Sequence, residues 1–292
     1  MVERFLDYLL HECNYSLKTI NSYQKDLEKF ERYCKEEDEQ IEWKSVDPDI
    51  IRNWIVDLME QGEKPTSVNR YLSALRTFYT YLMKREGLDY NPATKVRGPK
   101  KNKPLPVFLK EKETEVLMNR TMYPDDFVGL RDYTVICTFY ETGIRLSELV
   151  GLNIGDVDFS ANQIKVTGKR NKQRYIPFGK HLQDDLTNYI QERNRVFGTE
   201  ESSLFVNSKG VRISHSSVWK LVHDNLSKVT SQKKKSPHVL RHTFATQILN
   251  HDGDLEAVKQ LLGHESIATT EVYTHTTFEE LKKVYKQAHP RS

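Results

Sequence analysis

Glu-Thr-Gly-Ile-Arg-Leu-Ser-Glu-Leu, residues 141–149, decides how the second half of this chain folds. An apolar stretch, Tyr133 to Tyr140, precedes it, and helical spacing resumes at Leu146, Leu149 and Val150. Gly143 permits a sharp turn between the two helices. Arg145 then opens the second helix, where backbone N–H groups already attract anions, and adds a fixed cation to them. Glu148, one turn on, can brace the guanidinium. Taken alone, the segment reads more readily as a surface Arg–Glu pair.

Upstream, the chain reads as helices for ninety residues. Leu6, Leu9 and Leu10, then Leu17, Ile20, Tyr23, Leu27, Phe30 and Tyr33, keep helical spacing. Asp47-Pro48 predicts an N-cap with proline at the first helical position, Ile51, Trp54, Ile55 and Leu58 supply an apolar face, and Gly62 ends it. A further helix starts near Thr66 or Ser67 and stops at Gly87. This predicts a four-helix domain over 1–94. Residues 95–106 carry three prolines after Gly98 and several cations, which predicts an extended basic linker. The second domain, 107–292, opens with helices near 110–120 and 125–140. Three strands follow, Asp156–Phe159, Gln163–Thr167 and Arg174–Phe178, then helices near 180–195, 214–228, 238–251, 254–262 and 277–288. The expected fold is mainly α with a small antiparallel β-sheet, a helical domain followed by an α+β domain.

Net charge is only +3, but it is unevenly spread. Residues 1–94 hold 13 Lys+Arg against 18 Asp+Glu, and residues 95–292 hold 31 against 23, a change from −5 to +8. Lys95, Arg97, Lys100, Lys101 and Lys103 have no acid among them. The same holds for Lys165, Lys169, Arg170, Lys172, Arg174 and Lys180, and for Lys228, Lys233, Lys234, Lys235 and Arg241. Such runs suit a polyanion, although a single run is as readily a solvated face. Three widely spaced cysteines argue against a disulfide framework or a cysteine-rich zinc site. The first residues lack the apolar core of a signal peptide, and no apolar run reaches membrane-spanning length. A cytoplasmic location is the expectation.

Three more segments carry candidate chemistry. Lys169 sits at the tip of the hairpin between the second and third strands, where a side chain is free to reach a ligand or simply to solubilise a turn. His-Val-Leu-Arg-His-Thr-Phe-Ala-Thr, 238–246, follows Pro237, so His238 and Arg241 share the first turn of a helix and one face. Phe244, Ile248 and Leu249 are expected to turn toward the core. Cations there oppose the helix dipole, a cost that a bound anion would offset. Leu-Leu-Gly-His, 261–264, ends a helix, and Tyr273 follows nine residues after His264. One tyrosine among fifteen is, by itself, a core residue.

In order and spacing, Arg145, Lys169, His238-x-x-Arg241, Leu-Gly-His264 and Tyr273 together resemble the tyrosine recombinase (phage integrase-like) family, in its compact Xer-type or transposon-type form. The resemblance spans nearly the whole chain and extends to the helical N-terminal domain, which looks like the family's core DNA-binding domain. It implies a covalent enzyme: Tyr273 is the nucleophile on a DNA phosphate, and Arg145 and Arg241 clamp the non-bridging oxygens. His264 donates a hydrogen bond, His238 assists proton removal from Tyr273, and Lys169 protonates the leaving 5′-oxygen. Glu148 orients the Arg145–His238 side. The implied product is a 3′-phosphotyrosyl link, resealed through a Holliday junction, with no metal and no other cofactor. The implied assembly is a homo-tetramer on two DNA sites, exchanging a C-terminal helix striped by Phe278, Leu281, Val284 and Tyr285, in some relatives with a paralogous partner. The biological setting is chromosome dimer resolution or mobile-element integration and excision. Candidate DNA contacts are Asn69, Arg70 and Arg76 on one helix, and Ser216, Ser217 and Lys220 on another. The linker adds Arg97, Lys100, Lys101 and Lys103, and the hairpin adds Arg170 and Lys172.

On sequence alone, rival readings stay open. His238 and His242, with His264, His275, Asp252 and Asp254, offer ligands for a metal-dependent hydrolase, but the glutamate of a His-Glu-x-x-His helix is missing. A non-catalytic DNA-binding protein on the same fold, or a type IB topoisomerase, would use the same frame differently.

Overall fold

A computed structural model of the chain describes residues 1–101, 107–168, 172–251, 255–262, 284–285 and 287–291. The chain divides into two compact units, Met1–Pro104 and Leu105–Ser292.

The first unit contains four α-helices: α1 (Val2–His11), α2 (Leu17–Glu37), α3 (Pro48–Glu60) and α4 (Pro65–Arg85). Their starts follow from local chemistry. The Ser16 hydroxyl accepts from the Thr19 amide, and the Asp47 carboxylate accepts from the amides of Asp49 and Ile50 at 2.8 and 2.9 Å. Proline occupies the first helical position of both α3 and α4, so α4 begins before the expected Thr66 or Ser67. The apolar faces meet around Trp54, Phe30 and Phe78, all essentially inaccessible. The Phe30 and Trp54 rings lie edge-on at 4.8 Å, and Trp43 meets Phe78 the same way at 4.7 Å, each pair contributing about 1 kcal/mol beyond its burial.

The sequence predicts an extended linker from residue 95, but the segment as far as Pro99 is strapped to α4. Pro92–Lys95 form a 3₁₀ turn, and Val96 is buried in the helical core. Arg76 donates to the carbonyls of Ala93 and Val96, and Asn69 donates to that of Pro99. An apolar side chain and two long-reach donors thus hold what composition alone marks as free.

The second unit is built around α6 (Phe127–Thr142), whose residues from Tyr133 onward are all buried. Its buried threonines are satisfied within the helix: Thr134 and Thr138 donate to the carbonyls of Leu130 and Thr134. Before it comes α5 (Glu111–Leu117), shorter than expected because Asn119 caps a separate 3₁₀ turn, Arg120–Met122. After it come α7 (Leu146–Gly151) and an antiparallel sheet of β1 (Val157–Asp158), β2 (Gln163–Thr167) and β3 (Gln173–Pro177), in that order. β1 is shorter than expected, and β3 begins and ends one residue early. Ile164 pairs with Ile176 and Val166 with Arg174, so these four residues share the face turned toward the core. Then follow α8 (Lys180–Phe197), α9 (His215–Val229), α10 (Pro237–Asn250) and α11 (Leu255–Leu262). Helix α6 packs between α8 and α10. Phe244 and Ile248 of α10 are buried as expected, against Val258, Leu261, Leu262, Tyr285 and Ala288. Leu249 is 40% exposed, contrary to expectation, because it lies about 100° around the helix from Ile248. Among the described residues, no helix is long and apolar enough to cross a membrane.

Candidate active site

The catalytic unit turns its chain at Gly143. This residue closes α6 with a left-handed φ of +58°, its amide donating to Phe139 O at 3.0 Å. A Cβ there would lie 2.5 Å from the Phe244 ring and 2.8 Å from a Leu262 methyl, so α10 and α11 press directly on the turn. Glycine is required both for the backbone angle and for the space.

Arg145 sits at the N-cap of α7. Its amide donates to Glu148 Oε2 and its guanidinium to Oε1, both at 2.9 Å. The brace expected from the sequence is therefore present, but Glu148 also serves a second arginine. Arg174 of β3 reaches across with Nη1 to Oε1 at 2.7 Å and Nη2 to Oε2 at 2.9 Å, and its Nε donates to Leu261 O. The Glu148 side chain is only 2% exposed. Burial alone would raise its carboxyl, but the bonds and charge from Arg174 and Arg145 outweigh burial and hold it at about 2. Among the described residues, the hydrogen bonds that Glu148 accepts come from Arg145 and Arg174.

Arg241, on the first turns of α10, is buried. Its Nη1 donates to Gly143 O and its Nη2 to Leu262 O, each at 2.5 Å. Burial, with the charges of Arg145 and Arg174 added, pulls its pKa down to about 10, with Glu148 opposing. Two guanidiniums thus share one carboxylate, and a third is held beside them by backbone carbonyls. His238 lies exposed on the first turn of α10. The pKa of His242 is lowered by partial burial and by the nearby His238, Arg241 and Lys234.

Lys169 and Arg170 lie outside the described residues, as do Lys103, His264 and Tyr273. The flanks of these segments are described. Gly168 donates to Lys172 O at 2.7 Å, closing the hairpin base, and a Cβ on Gly168 would lie 3.7 Å from Glu148 Oε1. Leu261 and Leu262, whose carbonyls bind Arg174 and Arg241, are the last residues before Gly263-His264. Both chain segments therefore leave from the arginine cluster.

Arg174 is the member of this cluster that reading by motif overlooks, since it sits in a basic run that suggests a polyanion. Its signal is strand alternation: two residues before buried Ile176 on β3, a charged side chain faces inward and needs a partner.

The candidate DNA contacts divide. Arg97, Lys100, Lys101, Lys172 and Lys220 are exposed. Ser216 and Ser217 are exposed at the start of α9, where Ser214 caps the helix. Asn69 and Arg76 hold the strap described above. Arg70 forms an ion pair with buried Asp26, bonds Ser22 Oγ and lies 4.8 Å over the Tyr71 ring.

Residues 2–86 match the phage integrase N-terminal SAM-like domain, and residues 107–280 match the phage integrase family. A tyrosine recombinase XerC of Pelotomaculum thermopropionicum is 39% identical, covering 100% of this chain and 98% of that protein. One from Staphylococcus aureus strain MSSA476 is also 39% identical, covering 99% and 96%. Among solved structures, XerH bound to a palindromic difH substrate superposes with a TM-score of 0.72 at 22% identity, covering 97% of this chain and 83% of that one. The Tn1549 transposon integrase with transposon right-end DNA gives 0.70 at 21%, covering 98% of each. The two structural likenesses speak for the fold. With the sequence matches spanning both units, the chain belongs to the phage integrase family and is a tyrosine-type site-specific recombinase.

Proposed function

We propose that Tyr273 attacks a backbone phosphate at a specific duplex site, leaving a 3′-phosphotyrosyl link and a free 5′-hydroxyl. A phenol with an ordinary pKa of about 10 is a weak nucleophile, so the phosphate must first be neutralised. Arg145 and Arg241 do this, held at fixed positions by Glu148, Gly143 O and Leu262 O. Arg174 positions Glu148 and, through Leu261 O, the segment leading to His264. His264 donates to the phosphate, His238 takes the proton from Tyr273, and Lys169 protonates the leaving oxygen. The ester bond is conserved in the protein link, so a partner strand's 5′-hydroxyl reseals it without ATP, through a Holliday junction.

The single observation that carries this reading is that Arg145 and Arg174 share the buried Glu148 carboxylate while Arg241 is fixed by the carbonyls of Gly143 and Leu262, two residues from Arg145 and one from Leu261. Full-length likeness to XerC-named relatives favours chromosome dimer resolution over element mobility. The working assembly is a tetramer on two sites, in the cytoplasm, exchanging C-terminal segments, with a paralogue as an alternative subunit. Exposed Arg97, Lys100, Lys101, Lys172 and Lys220, together with Lys103 and Arg170, contact the phosphate backbone. Asn69, Arg70 and Arg76 act mainly through the partners they already hold.

The test is covalent capture. The protein is incubated, in EDTA, with a nicked duplex carrying a site it has selected from random DNA. A denaturation-resistant adduct with wild type, and none with Tyr273→Phe, is the expected result. An adduct that persists in Tyr273→Phe overturns the nucleophile; tight binding without any adduct overturns the cleavage reading.

A further inference from the structure

The end of α6 holds a carboxylate that the chemistry above does not use. Glu141 is 0% exposed, and neither of its oxygens accepts a hydrogen bond among the described residues, although the Leu182 amide lies near. An unpaired buried carboxylate is costly, and such a group calls for a partner. The cation facing it is Arg291, with Nε 3.3 Å from Glu141 Oε1. The same guanidinium lies 3.6 Å from Asp185 Oδ2 on α8 and meets the Tyr133 hydroxyl and the Cys137 sulfur on α6. Burial pushes the Glu141 carboxyl up to about 8, with the Arg291 charge opposing and Asp185 reinforcing. Two residues before Arg291, the His289 ring sits among Tyr140, Phe244 and Tyr285, with centroids 5.3, 5.7 and 5.0 Å away.

This seat is continuous with the catalytic turn. Glu141 is two residues before Gly143, whose carbonyl holds Arg241, and four before Arg145. Phe244, against which His289 rests, is also the ring that a Cβ on Gly143 would strike. We infer that Arg291 is a positioning residue: seated on Glu141 and Asp185, it holds the last turn of α6 in the form that presents Arg145 and Arg241. The inference rests on the cleavage reading above for its activity test, but its structural test does not.

The experiment compares full-length wild type, Arg291→Ala, Arg291→Lys, Glu141→Gln and the Glu141→Gln/Arg291→Ala double variant. Single-turnover cleavage of the nicked duplex is followed from pH 6 to 9, with duplex affinity measured alongside. Arg291→Ala is expected to slow cleavage on the order of a hundredfold toward pH 9, where it strands a buried charge, while affinity changes less than about twofold. Its rate rises toward acid pH, where Glu141 takes up a proton and no longer needs a cation. The double variant recovers to within about tenfold of wild type and loses that pH dependence, since a neutral amide makes no such demand. Arg291→Lys falls between. The other titratable groups around Glu141 are Tyr133, Cys137 and Tyr140 on α6, His181 and Asp185 on α8, and Tyr285 and His289 near the terminus. The double variant keeps all of them and so controls for their titration. Independently of DNA, amide hydrogen exchange at Gly143 and Arg145 should rise in Arg291→Ala and return in the double variant. Normal exchange in Arg291→Ala, or a double variant as impaired as Arg291→Ala at every pH, overturns the inference. Absence of any adduct with wild type overturns the cleavage reading instead.

Discussion

Replacing Glu148 by glutamine isolates the electrostatics of the arginine cluster from its shape. The carboxyl is held at about 2 against an ordinary 4.5, which corresponds to about 3 kcal/mol favouring the charged, folded form. The side chain is nearly inaccessible, so solvent screening takes little from that figure. Glutamine keeps one acceptor but turns an amide toward a guanidinium, losing one arm of the Arg174 fork and the charge that balances Arg241. For a unit of this size, about 3 kcal/mol lowers the midpoint of thermal unfolding by roughly 6–12 °C. The sign with pH is fixed: a depressed folded value stabilises above about 4.5, and the benefit is lost as pH falls through about 2. Urea unfolding should therefore show a gap between wild type and Glu148→Gln that is constant near neutrality, narrows below pH 4.5 and closes toward pH 2. Covalent adduct formation should fall on the order of a hundredfold, as expected when an oxyanion-clamping group loses its position, with DNA affinity nearly unchanged. A midpoint within about 1 °C of wild type, or a gap that does not vary with pH, would refute the assignment of Glu148 as the charged brace.

Three further outcomes follow from particular contacts. Gly143→Ala meets both a left-handed backbone and the Phe244 ring, and should cost about 3 kcal/mol in denaturant unfolding while abolishing adduct formation; a milder loss would mean that α10 yields. Lys220→Ala, on the exposed face of α9, should weaken duplex binding at all sequences alike and lower the slope of log affinity against log salt by about 1; an unchanged slope removes Lys220 from the interface. Burial holds His289 at about 3 against an ordinary 6.5, so it stabilises its seat above 6.5 and loses that benefit as pH falls. By pH 5 roughly 2 kcal/mol of seating is gone, which hydrogen exchange at residues 284–291, corrected for intrinsic rates, should register as deprotection that His289→Phe lacks.

Much of the scaffold was legible because its causes are local. Asp47-Pro48 caps and starts α3 through bonds spanning two or three residues, and the apolar spacing of Ile51, Trp54, Ile55 and Leu58 points inward as read. The family was legible because arginine, histidine and tyrosine in order at fixed spacing are rarely accidental, and the full-length matches agree. What escaped reading depends on partners distant in sequence or made of backbone. Arg241 is held by the carbonyls of Gly143 and Leu262, and a carbonyl has no signature in a sequence. Asn69 and Arg76 lie on the outward side of α4, which suggests an external ligand, but residues 92–99 return to cover that side and take their hydrogen bonds. Glu141 reads as the tail of a helix until Arg291, 150 positions later, supplies the reason it can be buried.

The charge count at the cluster bears on rate as well as binding. Arg145, Arg174 and Arg241 against Glu148 sum to +2 among these four described residues, and burial first, with repulsion from Arg145 and Arg174 added, lowers the pKa of Arg241. A DNA phosphodiester brings one negative charge, whereas the five-coordinate state formed by tyrosine attack brings close to two. Fixed cations left in excess of the substrate's charge are therefore better matched to the transition state than to the ground state, which is the condition for accelerating chemistry and not merely tightening binding. Glu148 sets that excess. Without it the cluster would repel itself open, and with a second carboxylate the excess would fall to the charge of the substrate. A single carboxylate, buried, kept ionised far below neutral pH and shared by Arg145 and Arg174, holds those two guanidiniums in place while leaving a net positive charge among the four residues.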